Sequence, residues 1–252
     1  MIRLSVNVNK VATLRNARGG TVPSVVAAVE ACVAAGAPGI TVHPRADSRH
    51  ITAADVRDIS RALRDRVPAV ELNVEGDPRP DLLELVEEVL PDQCTLVPVR
   101  PGEVTSQAGW QIGGHTEHLP EVVRRLTTLG VRVSLFVDAR PEPIQWAAAT
   151  GADRVELYTE PFARAFERGF DQGRRSFVVY DHAARLAHSL GLGVNAGHDL
   201  DLLNLVLFRD LPFLSEVSIG HALVSRALFV GLPAVVREYL DVLRPSASSG
   251  RL

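Results

Sequence analysis

Imidazoles, carboxylates and cations recur where the short apolar runs of this chain give out. His43 closes one run, His198 and His221 follow two others, and His50 lies just beyond His43, so four of the eight histidines fall at or just after such ends. One run carries Glu71, Asn73 and Glu75, and another carries Glu156. Imidazoles titrate near neutrality, and burial can raise a glutamate to join them, so the set suits repeated proton transfer. Lys10 is the only lysine among 27 basic residues, and it follows Asn7 and Asn9 at the end of the first run. A compact ammonium there suits a positive contact or, once deprotonated, an imine. Arg15, Arg18, Arg45 and Arg49 offer forks for phosphate oxygens. Gly-containing turns at 195–198 and 218–222 offer backbone N–H groups for the same purpose. His43, Glu71, Glu156, His198 and His221 are also a donor set for a cation. Without a His-x-His on the first run or a tight acidic cluster, no metal is expected.

The runs that must position these groups are strand candidates at Arg3–Val8, Gly39–His43, Ala69–Val74, Cys94–Val99, Arg132–Asp138, Arg154–Tyr158, Gly193–Ala196 and Glu216–Gly220. Most look continuously apolar, as parallel strands buried on both faces do. Helical patterns separate them: Thr21–Ala35, Ala54–Arg66, Arg79–Leu90, Leu119–Leu129, Pro143–Ala149, Phe177–Leu190, Leu202–Phe208 and a last one over Leu223–Leu243. Eight strands with crossover helices in 252 residues predict a single (β/α)8 TIM barrel with extra helices over residues 1–243, and a disordered tail over 244–252. The polar strand ends then converge on one mouth. A doubly wound sheet is the rival, but no Gly-x-Gly-x-x-Gly follows the first strand.

A net charge of −3 without a basic stripe lacks the footprint of a nucleic-acid binder. No apolar run approaches the roughly 20 residues of a membrane span. Cys32 and Cys94 are far apart in apolar surroundings and read as reduced, buried thiols. The N-terminus enters a strand at once, without a signal region. The expectation is a soluble, cytoplasmic protein acting on small phosphorylated molecules.

Several strings, in order along nearly the whole chain, carry a resemblance: Ala12-Thr-Leu-Arg-Asn-Ala-Arg-Gly19, Gly39-Ile-Thr-Val-His43-x-Arg45 with Arg49-His-Ile51, Leu96-Val-Pro98 with Glu103-Val-Thr105, Val133-Ser-Leu-Phe136, Val194-Asn-Ala-Gly-His198 and Ile219-Gly-His-Ala222. They resemble the pyridoxine 5'-phosphate synthase family. The resemblance implies a barrel that condenses 1-deoxy-D-xylulose 5-phosphate with 3-amino-2-oxopropyl phosphate to pyridoxine 5'-phosphate, phosphate and water. It implies no organic cofactor and a homo-octamer. By motif, it places the first proton acceptor on His43, a second general base on Glu71, the proton donor on His198 and a transition-state stabilising glutamate on Glu156. Asn7, Arg18, Gly220 and His221 would hold the aminoketone phosphate; Arg45, His50 and Thr105 would hold the deoxyxylulose phosphate. Two places depart from the family pattern. Asn9-Lys10 stands where its best-known members carry Asp-His, and Asp199 where they carry Gly, so these three are substrate-contact candidates that set the chain apart.

Two other activities fit the same residues. One is a Schiff-base aldolase or lyase using Lys10 on a sugar phosphate. The other is a barrel that binds phosphorylated metabolites without turning them over, although binding alone does not require His43, Glu71 and His198 together.

Overall fold

Parallel strands alternate with helices through the computed structural model, which describes residues 1–99, 108–113 and 116–244. The strands are β1 (Arg3–Asn7), β2 (Gly39–Val42), β3 (Glu71–Gly76), β4 (Gln93–Leu96), β5 (Arg132–Val137), β6 (Arg154–Tyr158), β7 (Gly193–Gly197) and β8 (Leu214–Ile219). They pair in sequence order, and β8 returns to β1 through Arg3↔Glu216 and Ser5↔Ser218. This is the closed (β/α)8 TIM barrel that the sequence predicts. The expected tail lies outside the described residues beyond Arg244.

The helices are α1 (Asn9–Asn16), α2 (Val25–Ala34), α3 (Ala53–Leu63), α4 (Pro80–Val89), α5 (Leu119–Thr128), α6 (Pro141–Ala149), α7 (Glu160–Glu167), α8 (Phe170–Ser189), α9 (Leu205–Phe208), α10 (His221–Val230) and α11 (Leu232–Val242). Local chemistry sets several starts. Thr52 and Asp55 form a reciprocal capping box on α3, and Ser24 accepts from Ala27 N–H on α2. The single helix expected over Leu223–Leu243 is two. Gly231 adopts φ 85° between them, and Pro233 then begins a new first turn.

The strands are not uniformly apolar, and the alternation that the sequence reading passes over is informative. Leu4, Val6, Ile40, Val42, Leu72 and Val74 are buried against the helices, each contributing about 1.5–3 kcal/mol by burial. Their neighbours turn inward and are polar. Ser5 meets Thr41 at 2.6 Å, Thr95 donates to Asn73 at 3.0 Å, and Gln93 reaches across the barrel toward Glu216 at 3.4 Å. At the N-terminal floor, Glu71 bridges Arg3 at 3.1 Å and Arg132 at 3.0 Å. Most barrels fill this space with branched aliphatics; here a hydrogen-bonded polar column runs beneath the mouth.

Candidate active site

The mouth is assembled from the end of β1. Asn7 Oδ1 accepts the Asn9 N–H at 3.1 Å, and Asn9 Oδ1 accepts the His43 N–H at 2.9 Å. The two asparagines thereby fix where β2 delivers His43. That ring is buried, with Nδ1 at 3.8 Å from Glu75 Oε2 and no hydrogen-bond partner for Nε2 among the described residues. Burial foremost, then the neighbouring His50 and the guanidiniums of Arg45 and Arg79, hold its pKa well below the usual 6.5. His43 is therefore a neutral imidazole, ready to take a proton.

The loop after His43 is braced from two sides. Arg79 donates to Pro44 O at 2.6 Å, and Asn16 Nδ2 donates to His50 O at 2.8 Å. Arg15 forks onto Asp55 at 2.5 and 2.9 Å, so it is a strut of α1 rather than a phosphate ligand. His50 Nδ1 accepts the Ile51 N–H at 2.9 Å, which leaves the ring proton on Nε2. Burial, Arg45 and Lys10 push this histidine down to about 4.

Two carboxyls face these rings. Glu75 is buried near the top of β3, with Asn7 Nδ2 at 3.5 Å; burial and the nearby Glu216 raise it to about 8. Glu156, on β6, is raised well above the usual range by burial, then by Glu75 and Glu216. Its space depends on Gly197, because a Cβ there would overlap Glu156 Oε1. Gly197→Ala is expected to displace this carboxyl and lower kcat by about 10²-fold, the scale of an ångström's misplacement. Steady-state kinetics on the folded variant check this, and an unchanged kcat would show that the glycine is dispensable.

By strand alternation His198 would point outward, away from the mouth. Instead His198 and Asp199 adopt φ 84° and 57°, and the imidazole lies 4.9 Å from the Phe136 ring and 5.4 Å from that of Tyr158. Burial lowers its pKa to about 4, opposed by Glu160. Left-handed non-glycine residues in succession store strain of a kind that clusters at functional sites. Gly220 and His221 begin α10 on the adjoining side, where N-terminal N–H groups suit an anion.

Asn7, Asn9, Lys10, His43, Arg45, His50, Glu156, His198, Asp199, Gly220 and His221 line one cavity of about 250 Å³. Two expected residues do not. Arg18 is exposed in the turn after α1 and is not among the lining residues. Glu71 is corrected outright: it lies at the floor, held by Arg3 and Arg132, while the carboxyl at the mouth is Glu75. Both point inward, and the expected strand end at Val74 stopped one residue short of the one that matters. Thr105, with Arg100 and Glu103, lies outside the described residues. The sequence reading missed the roles of Phe136 and Thr13 in the lining, for which no motif gave a signal. Among the described residues no group of His, Cys, Asp or Glu is arranged to hold a metal ion, and no helix is long and apolar enough to cross a membrane.

Comparison with known proteins adds a family. A family model described as "Pyridoxal phosphate biosynthesis protein PdxJ" matches residues 4–245. Among similar proteins are the pyridoxine 5'-phosphate synthases of Bacteroides thetaiotaomicron, 51% identical over 97% of this chain and 100% of its own length, and of Xanthomonas oryzae pv. oryzae, 51% identical over 97% and 98%. That of Porphyromonas gingivalis is 50% identical over 96% and 99%. Solved structures with the same fold include phosphoribosyl anthranilate isomerase from Thermus thermophilus (TM-score 0.58, 17% identity, 96% of this chain and 98% of that one). The tryptophan synthase A-subunit of Pyrococcus furiosus is another (TM-score 0.61, 13% identity, 95% and 97%). At such identities the likeness concerns the barrel alone.

Proposed function

The chain belongs to the PdxJ family of pyridoxal phosphate biosynthesis proteins, and from that premise we propose how its mouth works as a pyridoxine 5'-phosphate synthase. The reaction condenses 1-deoxy-D-xylulose 5-phosphate with 3-amino-2-oxopropyl phosphate, releasing pyridoxine 5'-phosphate, phosphate and water. The observation that carries the reading is the gathering of His43, Glu75, Glu156 and His198 around one cavity.

The two substrates form an imine with each other, phosphate is eliminated, and an aldol-type step closes the ring. Each stage moves a proton. Neutral His43 takes the first, with Nε2 as the acceptor. Glu75 replaces Glu71 as the second base: a pKa near 8 suits a carboxyl that must both hold and release a proton, and a cationic imine beside it would draw that value down. His198 donates to leaving oxygens once a bound phosphate dianion raises its affinity for a proton. Glu156 stabilises positive charge in the ring-forming intermediates.

Asn7, Gly220, His221 and the Asp199 turn take the aminoketone phosphate, with Arg18 supplied from beyond the lining. Arg45, His50, Thr105 and the Asn9-Lys10 pair take the deoxyxylulose phosphate. Asn9 serves here partly through His43, whose N–H it accepts. Lys10 is exposed at the start of α1, a position that suits a charge contact at the rim. The reading calls for no organic cofactor or metal and places the protein in the cytoplasm. Leu228 and Phe229, exposed at the end of α10, support assembly with further copies, up to the octamer that the resemblance implies.

Incubating the purified protein with both substrates is expected to give pyridoxine 5'-phosphate by mass spectrometry. Absence of product overturns the reading. Activity kept in Lys10→Arg, with no borohydride-trapped adduct on Lys10 in the wild type, separates it from imine chemistry on the protein.

A further inference from the structure

The turn that presents His198 is bound by a side chain outside the cavity. Thr159 is fully buried and stands at the N-cap of α7. A threonine there ordinarily accepts a hydrogen bond from an N–H of the first helical turn. This one does not: α7 has no side-chain cap. The hydroxyl is directed instead to β7, at 2.6 Å from Gly197 O and within hydrogen-bond distance of His198 O, so its one hydrogen is shared between them. The Thr159 N–H also donates to Gly197 O at 3.0 Å.

Those two carbonyls belong to the peptide planes on either side of His198. Fixing both planes fixes the two backbone rotations between them, one of which is the left-handed φ of 84°. A side-chain-bearing residue keeps such a conformation only where its surroundings over-determine it. Asn204 Nδ2 also ties this turn, donating to Asp199 O at 3.0 Å, but it acts one residue later and does not hold His198 itself. A local rule of helix capping is thus set aside at the point where the mouth needs its imidazole re-aimed.

We propose that Thr159 is a positioning residue for the proton donor: by clamping the peptide planes that flank His198, it keeps the imidazole in the slot between Phe136 and Tyr158. The inference rests on His198 serving as proton donor in the reading above. Without the hydroxyl, residue 198 relaxes toward ordinary strand geometry and its ring turns away from the mouth. Apart from the Asp199 turn, the residues assigned to the substrate phosphates lie on other elements, so the loss falls on turnover more than on binding.

Thr159→Val keeps shape and burial and removes only the hydroxyl. Its kcat is expected to fall by about 10- to 100-fold with KM little changed. The His198 ring, freed from its slot, is expected to move its NMR titration away from the value of about 4 set by burial in that slot. Thr159→Ser is expected to restore most of the activity, which a purely space-filling role for the threonine would not require. Wild-type kcat and an unmoved His198 titration in Thr159→Val overturn the proposal. So does a folded Thr159→Ser that is as slow as Thr159→Val. If Thr159→Val does not fold, Thr159→Ala is read in the same way and the Thr159→Ser kinetics decide. A wild type that makes no pyridoxine 5'-phosphate defeats the functional reading itself, whereas an active wild type indifferent to Thr159 defeats only this inference.

Discussion

Glu75→Gln is expected to lower kcat by about 10²–10⁴-fold, the usual contribution of a positioned acid–base group, while Glu71→Gln leaves kcat within a few-fold of the wild type. The contrast follows from the two ends of one strand. Glu75 lies at the mouth, 3.8 Å from His43 Nδ1 and lining the cavity. Glutamine there keeps the volume and the contact with Asn7 but can neither take nor give the proton, so KM is expected to change little. Glu71 lies at the floor between Arg3 and Arg132. Removing its charge leaves two guanidiniums competing for fewer acceptors at a partly solvated site, a cost of about 1 kcal/mol. That corresponds to roughly 2–4 °C in Tm for a chain of this size. Steady-state kinetics and thermal melts on both variants settle the assignment, and a slow Glu71→Gln beside an active Glu75→Gln would reverse it.

The ligand-free protein is expected to lose thermal stability as the pH rises from about 6.5 to about 8. Burial raises Glu75 to about 8, and raises Glu156 and Glu216 as well, each further disfavoured by a neighbouring carboxylate. In the unfolded chain these groups titrate near 4.5, so above that value the folded state holds protons that the unfolded state has released. Their contribution is complete below about 4.5 and is lost as the pH climbs through the folded values. His43, His50 and His198 have the opposite sign. Held below 6.5, the last two at about 4, they favour folding increasingly as the pH rises over about 4 to 6.5. The two sets oppose each other in that window; above it only the carboxyls act. Each then costs up to about 1.4 kcal/mol per pH unit. Thermal melts across pH 6–9 read the slope, Glu75→Gln should flatten it, and a Tm constant or rising over this range would show the carboxyls ionised in the fold.

Much of this was visible in the sequence because strand ends and chemistry coincide. His43, His198 and His221 could be placed at the mouth from runs such as Ile-Thr-Val-His and Asn-Ala-Gly-His alone. The Glu71–Glu75 segment could not be settled the same way. Two glutamates four residues apart share one face of a strand, so parity says that both point inward, and only the position of β3 relative to its neighbours says which reaches the mouth. The register Asn73↔Gln93 and Glu75↔Thr95 supplies that information. Helix α1 falls in none of the helical patterns read from the sequence, the first of which begins at Thr21; its order comes from Arg15 on Asp55 and Asn16 on His50. The slot around His198 was hidden for another reason. Phe136, Tyr158 and Thr159 reach it from β5, β6 and the start of α7, and no spacing in the chain announces that meeting.

The polar column within the barrel has a consequence for how the ring is kept shut. Hydrogen bonds of that kind are each worth only about 0.5–1.5 kcal/mol net, so no greasy pillar at the centre binds opposite walls together. Apolar adhesion lies outside the strands, mostly between elements close together in the chain, such as α2 with α3 and α7 with α8. The joint between the chain's two ends differs: besides the β1–β8 ladder and the contact of α1 with α10, it relies on α11 lying over α2 and β1, with Leu240 against Gly36. The last helix is therefore a clasp. Removing it would leave a circle of well-made neighbours with an unlatched seam beside Asn7, at the edge of the very mouth the ring exists to form.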